Sequence, residues 1–351
     1  DRWYGRGTAD NKGQHSINIA ALEQVMAARG GSLGFNCKLL IEMGEELGSP
    51  GLRSFAAAHR RELAADVLIA SDGPRLSAQR PTVFLGSRGA MNFELGVALR
   101  EGGHHSGNWG GVLPNAGTLL AHAIACLVDA KGQILVDALK PNLPAAVRQA
   151  LADIDLAQGA NDPVIDPDWG EPGLSAAEKV YGWNTLEVLA FVTGSPEAPV
   201  NAIPPAAKAT LQLRFVVGTD PENILAHVRA HLDAHGLHRV SVAPARMETF
   251  AATRLDPDDP WVGWALGSIR ATTGKPPALL PNLGGSLPND VFAEILGLPT
   301  IWIPHSYPSC SQHAPNEHLL ASVAREALQI MAGLFYDVGE DGPRILAQRR
   351  A

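Results

Sequence analysis

The sequence predicts an α/β fold in which a mixed, largely parallel sheet between helices is interrupted by an inserted α+β domain. Three observations carry this expectation. A length of 351 residues is more than one hydrophobic core usually organises, so two domains are expected. The run Asp66-Val67-Leu68-Ile69-Ala70-Ser71-Asp72 is a short continuous apolar stretch of the kind buried in a parallel sheet. Alternating apolar residues then occupy the middle of the chain, as in strands with one polar face, before the α/β texture returns past about Thr249.

Taken in order, Ile17, Ala20, Ala21, Leu22 and Val25 fall at helical spacing between Ser16 and Ala28. Gly30-Gly31 follow where a left-handed C-terminal cap is wanted, which predicts a helix. Phe35, Cys37, Leu39 and Ile41 alternate as a strand would, and Gly51 to Arg61 reads as a crossover helix leading to the strand Asp66 to Ser71. In the middle block, Met91, Phe93, Leu95, Val97 and Leu99 alternate, and Leu211, Leu213, Phe215 and Val217 do so again. Helices are expected there from Ala116 to Val128 and from Pro221 to His235, and Pro163 to Pro172 reads as a surface loop. A helix opening at Asp259-Pro260, a strand from Thr300 to Pro304 and a helix from Glu317 to about Phe335 complete the chain.

Hydrophobic residues at 46% and charged residues at 18% describe a chain that folds instead of remaining disordered. Lys+Arg 28 against Asp+Glu 36 leaves a net charge of −8 without any basic run, which argues against a nucleic-acid backbone or an anionic membrane as principal partner. No apolar run reaches the roughly 18 to 20 residues that span a bilayer, and no basic-then-apolar signal opens the sequence. Cys37, Cys126 and Cys310 are far apart and lack CxxC spacing, so neither a disulfide framework nor a thiolate zinc site is expected. A reducing cytoplasm is the expected compartment and a small molecule the expected partner.

Three acidic positions sit where strands should end. Asp10 lies in Arg6-Gly7-Thr8-Ala9-Asp10-Asn11-Lys12-Gly13, the pair Glu45-Glu46 follows the stretch ending at Met43, and Asp72 closes the Asp66–Ser71 strand. Ligands of open α/β sheets bind at the carboxyl ends of strands. Carboxylates gathered there repel one another unless a cation or a shared proton compensates, and a metal is the economical reading. His313, in Ser311-Gln312-His313-Ala314-Pro315-Asn316-Glu317, adds an imidazole nitrogen, and oxygen with nitrogen donors suits zinc, manganese or cobalt. Two consecutive carboxylates cannot readily flank a sugar ring from opposite faces, which disfavours a glycosidase.

The segments Tyr4-Gly5-Arg6-Gly7-Thr8-Ala9-Asp10-Asn11-Lys12-Gly13, Glu45-Glu46, Ser71-Asp72-Gly73 and His313-Ala314-Pro315-Asn316-Glu317 resemble, in order, the motifs of the dinuclear zinc metallopeptidases that include aminoacylase, carboxypeptidase G, succinyl-diaminopimelate desuccinylase and carnosinase. The resemblance spans nearly the whole chain and is nearest to the carnosinase-like dipeptidase branch. It implies that Asp10 bridges two divalent metal ions, that Glu46 and His313 complete one and that Asp72 serves the other. Zinc is the implied metal, with manganese or cobalt as alternatives. Glu45 would be the general base that takes a proton from a metal-bound water as it attacks an amide carbonyl.

The middle block resembles that family's lid. Gly103-His104-His105-Ser106-Gly107 is similar to a lid loop whose histidine reaches into the neighbouring subunit's site to support the oxyanion, which makes His105 the candidate. On its own, a histidine in a Gly-rich loop reads as a turn residue. Asn201-Ala202-Ile203-Pro204 and the strand carrying Arg214 resemble the lid segment whose arginine grips a substrate carboxylate, and a planar guanidinium suits that task. The bland alternative for Arg214 is a surface charge. Gly284-Gly285-Ser286 resembles a loop beside the substrate's C-terminal carboxylate, where backbone N–H groups can cradle an anion. His104, Trp109, His305 and His318 are read as structural.

Residues 1–82 and 249–351 would then form the metal-binding catalytic domain, and 83–248 the lid that also dimerises. A histidine-x-aspartate motif lies upstream of the Gly-Arg-Gly segment in the family, so the sequence is expected to begin inside a longer chain. The implied activity is hydrolysis of dipeptides. The alternatives are deacylation of N-acyl amino acids, or a non-catalytic dimeric binding protein that lost its second metal.

Overall fold

The computed structural model describes residues 1–156, 163–245 and 249–350. The expected boundary at residue 248 lies outside the described residues. The chain divides into two compact units, one made of Asp1–Ser87, Pro144–Val164 and Thr253–Ala351, the other of Arg88–Leu143 and Ile165–Ala252.

Along the chain, the first unit begins with β1 (Arg2–Tyr4), α1 (Lys12–Ala28), α2 (Leu52–Ala58), β2 (Leu68–Ala70) and β3 (Thr82–Phe84). The second unit follows with β4 (Gly89–Ala98), β5 (His104–His105), α3 (Ser106–Trp109) and α4 (Ala116–Leu127). The short helix α5 (Ala145–Ala150) belongs to the first unit. The second unit resumes with α6 (Ala176–Tyr181), β6 (Thr185–Thr193), β7 (Ala202–Ile203), β8 (Ala206–Phe215), α7 (Ile224–Ala234) and β9 (Ser241–Pro244). The first unit closes with α8 (Pro260–Thr273), β10 (Ala278–Leu280), β11 (Thr300–Trp302), β12 (His318–Leu320) and α9 (Ala321–Arg350).

In the first unit a four-stranded sheet has the order β10-β3-β11-β2, with β10 parallel to β3, β11 parallel to β2 and a single antiparallel bridge, Trp302 to Phe84, joining the pairs. The Phe84 and Trp302 rings stack at 5.6 Å across that bridge, a cross-strand aromatic contact that helps hold the two parallel pairs together. The mixed, largely parallel sheet expected from the apolar run around Leu68 is present. Helices α1, α8 and α9 pack with it around one core, which α1 enters through Ile17, Ala21 and Val25, spaced four residues apart on one face. Asp259 caps α8 by accepting from the Trp261 N–H at 2.9 Å and Pro260 occupies the first helical turn, as the sequence signals required; Gly274 ends the helix at φ 70°.

Two expectations are corrected here. The segment from Phe35 to Ile41 is not a strand, and Leu39, Ile41 and Met43 are 61%, 53% and 88% exposed. Alternation becomes a strand only when a neighbour pairs with it, and among the described residues none does. Glu45 and Glu46 accordingly open a 3₁₀ turn, Glu45–Leu47, and do not directly follow a strand. The last helix begins at Ala321, not Glu317, and continues to Arg350, because His318–Leu320 pairs antiparallel with Arg2–Tyr4. That pairing joins the first strand to the segment that leads into the last helix.

In the second unit an antiparallel sheet has the order β6-β8-β4-β9, and α4 packs against β4, β6 and β8. Phe93, Leu95, Leu211, Leu213 and Phe215 point into a core shared with Leu120, Leu127, Val228 and Leu232 of α4 and α7, which accounts for their alternation. Asn115 caps α4 by accepting from Gly117 and Thr118 N–H at 2.9 and 3.2 Å. A separate two-stranded ladder pairs His104 and His105 with Ile203 and Ala202. No helix among the described residues is long and apolar enough to cross a membrane.

Candidate metal centre

The Gly-rich segment folds as a loop onto the start of α1. Gly13 N–H donates to the Gly7 carbonyl at 2.9 Å, and a Cβ at Gly13 would lie 1.9 Å from the Thr8 carbonyl oxygen, so only glycine allows this approach. Glu317 holds the loop from the other side. Its buried carboxylate accepts from the backbone N–H of Gly7, Ala9 and Asp10 at 2.9–3.0 Å and pairs with Arg6 at 3.1 Å. Burial pushes Glu317 up, but these donors outweigh it and leave the carboxyl below its ordinary range.

Arg6 extends the network, donating to the Asp10 carbonyl at 2.7 Å and to Glu46 at 2.9 Å. His313 stands between the carboxylates, its Nε2 lying 2.8 Å from Asp10 Oδ2 and 2.9 Å from Glu46 Oε2. Gln312 donates to Asp10 Oδ2 at 2.9 Å. The loop that aims His313 holds Ser311, His313 and Asn316 at φ 58°, 56° and 66°, a left-handed conformation that costs energy in residues with a Cβ. Asp10, Glu46 and His313 thus bring two carboxylate oxygens and an imidazole nitrogen within 4.8 Å of one another.

Asp72 and Glu45 join this group through their fields. Burial lifts Asp72 to about 6, with the negative charges of Asp10 and Glu46 adding to the rise against hydrogen bonds from Gly73 N–H at 2.6 Å and from Asn11. Asn11 also ties the Gly-rich loop to this strand end by donating to the Ser71 carbonyl at 3.0 Å. Glu45 is lifted to about 7, first by burial and then by repulsion from Asp72, Glu46 and Asp10. Burial also raises Asp10, with Glu46 adding to it. In Glu46 the hydrogen bonds from Arg6 and His313 overcome burial and lower the value, and His313 is raised because its carboxylate partners outweigh its burial.

These residues fit a divalent cation. Two carboxylate oxygens and an imidazole nitrogen suit a divalent metal, and burial, with repulsion from neighbouring carboxylates, raises Asp10, Glu45 and Asp72, which a cation would relieve. The first unit therefore gathers Asp10, Glu45, Glu46, Asp72 and His313 in one place. The Gly284-Gly285-Ser286 loop begins at Leu283, whose N–H donates to the Gly86 carbonyl at 2.8 Å and whose side chain would meet a Cβ on Gly73 at 3.1 Å, next to Asp72.

The other candidates belong to the second unit. His105 caps α3, its Nδ1 accepting from Gly107 N–H at 3.1 Å, and Asn201 is its neighbour, its carbonyl accepting from Ser106 N–H at 3.0 Å. Arg214 lies on the large sheet with its Nε donating to Gln212 at 3.0 Å, and burial lowers its pKa. His305 is fully buried and approaches Ser71 Oγ at 3.2 Å, and His318 is bonded through Nδ1 to the Asn316 carbonyl at 2.9 Å, positions that suit structural roles. Sequence reasoning assigned no role to Arg6, Gln312 or Glu317. All three lie inside the quoted segments, flanking the residues it chose, and that adjacency was the available signal.

Comparison with known proteins bears on the family and the fold. The chain is 26% identical over 305 residues to a cysteinylglycine-S-conjugate dipeptidase of Corynebacterium striatum, covering 84% of this chain and 64% of that protein. It is 24% identical over 352 residues to the human beta-Ala-His dipeptidase, covering 96% of this chain and 68% of the relative. It thus spans about two thirds of the length of these relatives. Its fold is similar to that of the M20 family metallo-carboxypeptidase Sso-CP2 from Sulfolobus solfataricus, with a TM-score of 0.75 at 24% identity, covering 95% of this chain and 77% of the other. Human carnosine dipeptidase 1 follows at 0.71 and 23%, covering 97% and 73%. Residues 1–337 match the family described as Peptidase family M20/M25/M40, and the chain belongs to that family.

Proposed function

We propose that this chain carries the catalytic centre of a metal-dependent amide hydrolase acting on dipeptides. The observation that carries the reading is the convergence of Asp10, Glu46 and His313, with the raised carboxyls of Glu45 and Asp72 beside them. Asp10, Glu46 and His313 would hold one divalent ion, and Asp10 with Asp72 would contribute to a second; zinc, manganese and cobalt all suit the donors. Such ions supply Lewis-acid polarisation of a carbonyl and lower the pKa of a water.

Glu45 is the residue that moves protons in this reading. A carboxyl near neutral pKa can accept a proton from the attacking water and return it to the leaving amine within one turnover. Glu317 and Arg6 hold Asp10 and Glu46 in register. His105 stabilises the developing oxyanion, and Asn201, Arg214 and the Gly284-Gly285-Ser286 loop bind the substrate's polar ends. The similarity to relatives named for cysteinylglycine conjugates and for beta-Ala-His supports a small peptide as substrate class.

A homodimer through the second unit also belongs to this proposal. Its sheet ends at β6, an edge strand that exposes Val188, Leu189, Phe191 and Val192, and an apolar edge of this kind is a liability unless another chain covers it. In the dimer, His105 of the partner subunit would serve the site.

Amine release from a panel of dipeptides and N-acyl amino acids by the full-length gene product, with zinc or manganese and a chelator control, tests the reading. Chelator-sensitive cleavage of dipeptides is the expected result. Cleavage confined to N-acyl amino acids would assign a deacylase, and no turnover by folded, metal-loaded protein would overturn the hydrolase. Mixing inactive His105→Ala and Glu45→Gln chains should restore part of the activity, and no recovery would remove the shared site.

A further inference from the structure

We propose that the second unit carries a transition-metal site of its own, built by Cys126 of α4, by His231 of α7 and by His235, which caps the C-terminal end of α7. One donor atom from each of the three lies within 4.8 Å of the others. A zinc ion at about 2.0–2.3 Å from sulfur and nitrogen places its ligands ~3.3–3.8 Å apart, so side-chain rotations of about 1 Å close the set.

The helices bring these donors together and orient them. Leu120, Ala123 and Leu127 of α4 and Ile224, Val228 and Leu232 of α7 pack in one core, which fixes the C-terminal ends of both helices against the same sheet. His231 and His235 are four residues apart, hence on one helix face, and their rings lie 4.4 Å apart. His231 Nε2 is 2.9 Å from the Cys126 carbonyl, and His235 Nδ1 is 2.8 Å from the His231 carbonyl. Each contact requires an N–H donor, so each ring gives its proton to a backbone carbonyl and keeps a lone pair on the other nitrogen. Metal-binding histidines are oriented in this way.

The charged groups around the cluster do not compete for the ion. Asp137, whose carboxylate feels His231, is paired with Lys140 at 2.9 Å, and Asp233 is bound by Arg229 and by His238 at 2.6 and 2.9 Å. The donors are therefore one sulfur and two imidazole nitrogens, a set that selects zinc, copper or nickel over magnesium or calcium. Three protein ligands leave a position open to water or to a further ligand. The absence of CxxC spacing hides such a site, because 105 residues separate Cys126 from His231.

Cobalt(II) titration of the intact protein tests the site. Sulfur ligation gives a thiolate-to-cobalt charge-transfer band in the near ultraviolet, and the Asp10–Glu46–His313 centre contains no sulfur. The band should appear in the parent protein and in Asp10→Asn, vanish in Cys126→Ser and weaken in His235→Gln. Because His235 is exposed at the end of α7, His235→Gln leaves the fold intact and keeps the test decisive if Cys126→Ser folds poorly. Added zinc should also raise Tm more in the parent than in His235→Gln, since an ion bound only by the native state stabilises it. No band in the parent protein, or a band that persists in folded Cys126→Ser and is unchanged in His235→Gln, overturns the proposal.

Discussion

Glu317 accepts a hydrogen bond from the Asp10 backbone N–H at 2.9 Å, across 307 residues of chain. One buried carboxylate late in the sequence thus shapes the loop that presents Asp10, a proposed metal ligand, near its beginning. Glu317→Ala should leave the Gly7, Ala9 and Asp10 N–H groups without this acceptor and destabilise the protein by roughly 2–5 kcal/mol, at about 1–3 kcal/mol per buried unsatisfied group with partial relaxation. Glu317→Gln keeps one acceptor oxygen and should lose less. Urea denaturation and zinc affinity measured together check this, and a stable variant with unchanged affinity would show that the loop holds its own shape.

Glu45→Gln should lower kcat by a factor of about 10²–10⁴ on whichever peptide the parent cleaves, the range typical of a lost general base. Metal content should stay near that of the parent, because Glu45 is not among the ligand atoms that converge on His313. An undiminished rate would remove Glu45 from the mechanism.

Metal loading should release protons. Glu45 at about 7 and Asp72 at about 6 are partly protonated at pH 6, and His313 is raised above its ordinary value, while a cation requires its ligands Asp72 and His313 deprotonated and its charge favours the ionised form of nearby Glu45. Zinc titration of the metal-free protein at pH 6, in buffers of different ionisation enthalpy, should therefore show proton release that shrinks by pH 8. Binding with no proton release at pH 6 would mean that the carboxyls are already ionised.

His305 links stability to pH through the opposite effect. Burial, then the charge of Arg75, holds its pKa well below the ordinary histidine value, so the folded state disfavours the proton that the unfolded chain accepts near pH 6.5. Its contribution is present in full above about pH 6.5 and is lost as pH falls toward the folded value, at up to about 1.4 kcal/mol per pH unit. His305→Gln should flatten the stability profile between pH 6.5 and 5. An unchanged slope would assign the acid sensitivity to other groups.

Gly13→Ala should dislodge the Gly-rich loop, because its Cβ would sit 1.9 Å from the Thr8 carbonyl oxygen. Lower thermal stability and weaker metal binding are expected together. A variant that binds metal as the parent does would place the strain elsewhere.

Much of this protein is legible along the chain. The helix carrying Ile17, Ala21 and Val25, the alternating strands around Phe93 and Leu213, and the capped start of α8 at Asp259 follow from local periodicity and capping chemistry, which act over a few residues. The motif order likewise pointed to Asp10, Glu45, Glu46, Asp72 and His313 before any geometry was known. The alternation from Phe35 to Ile41 misled, because periodicity describes a side chain's preference and says nothing of whether a partner strand is present.

Residue types and local spacing alone determined which groups could do chemistry and where most elements form. Only the tertiary structure decided that Glu317 braces Asp10, that His318–Leu320 pairs with Arg2–Tyr4 and that Cys126 meets His231 and His235. These contacts join segments more than 100 residues apart, and 307 apart in the case of Glu317 and Asp10, where no local propensity acts. Core packing brings such groups together, and burial together with neighbouring charge then sets their chemistry.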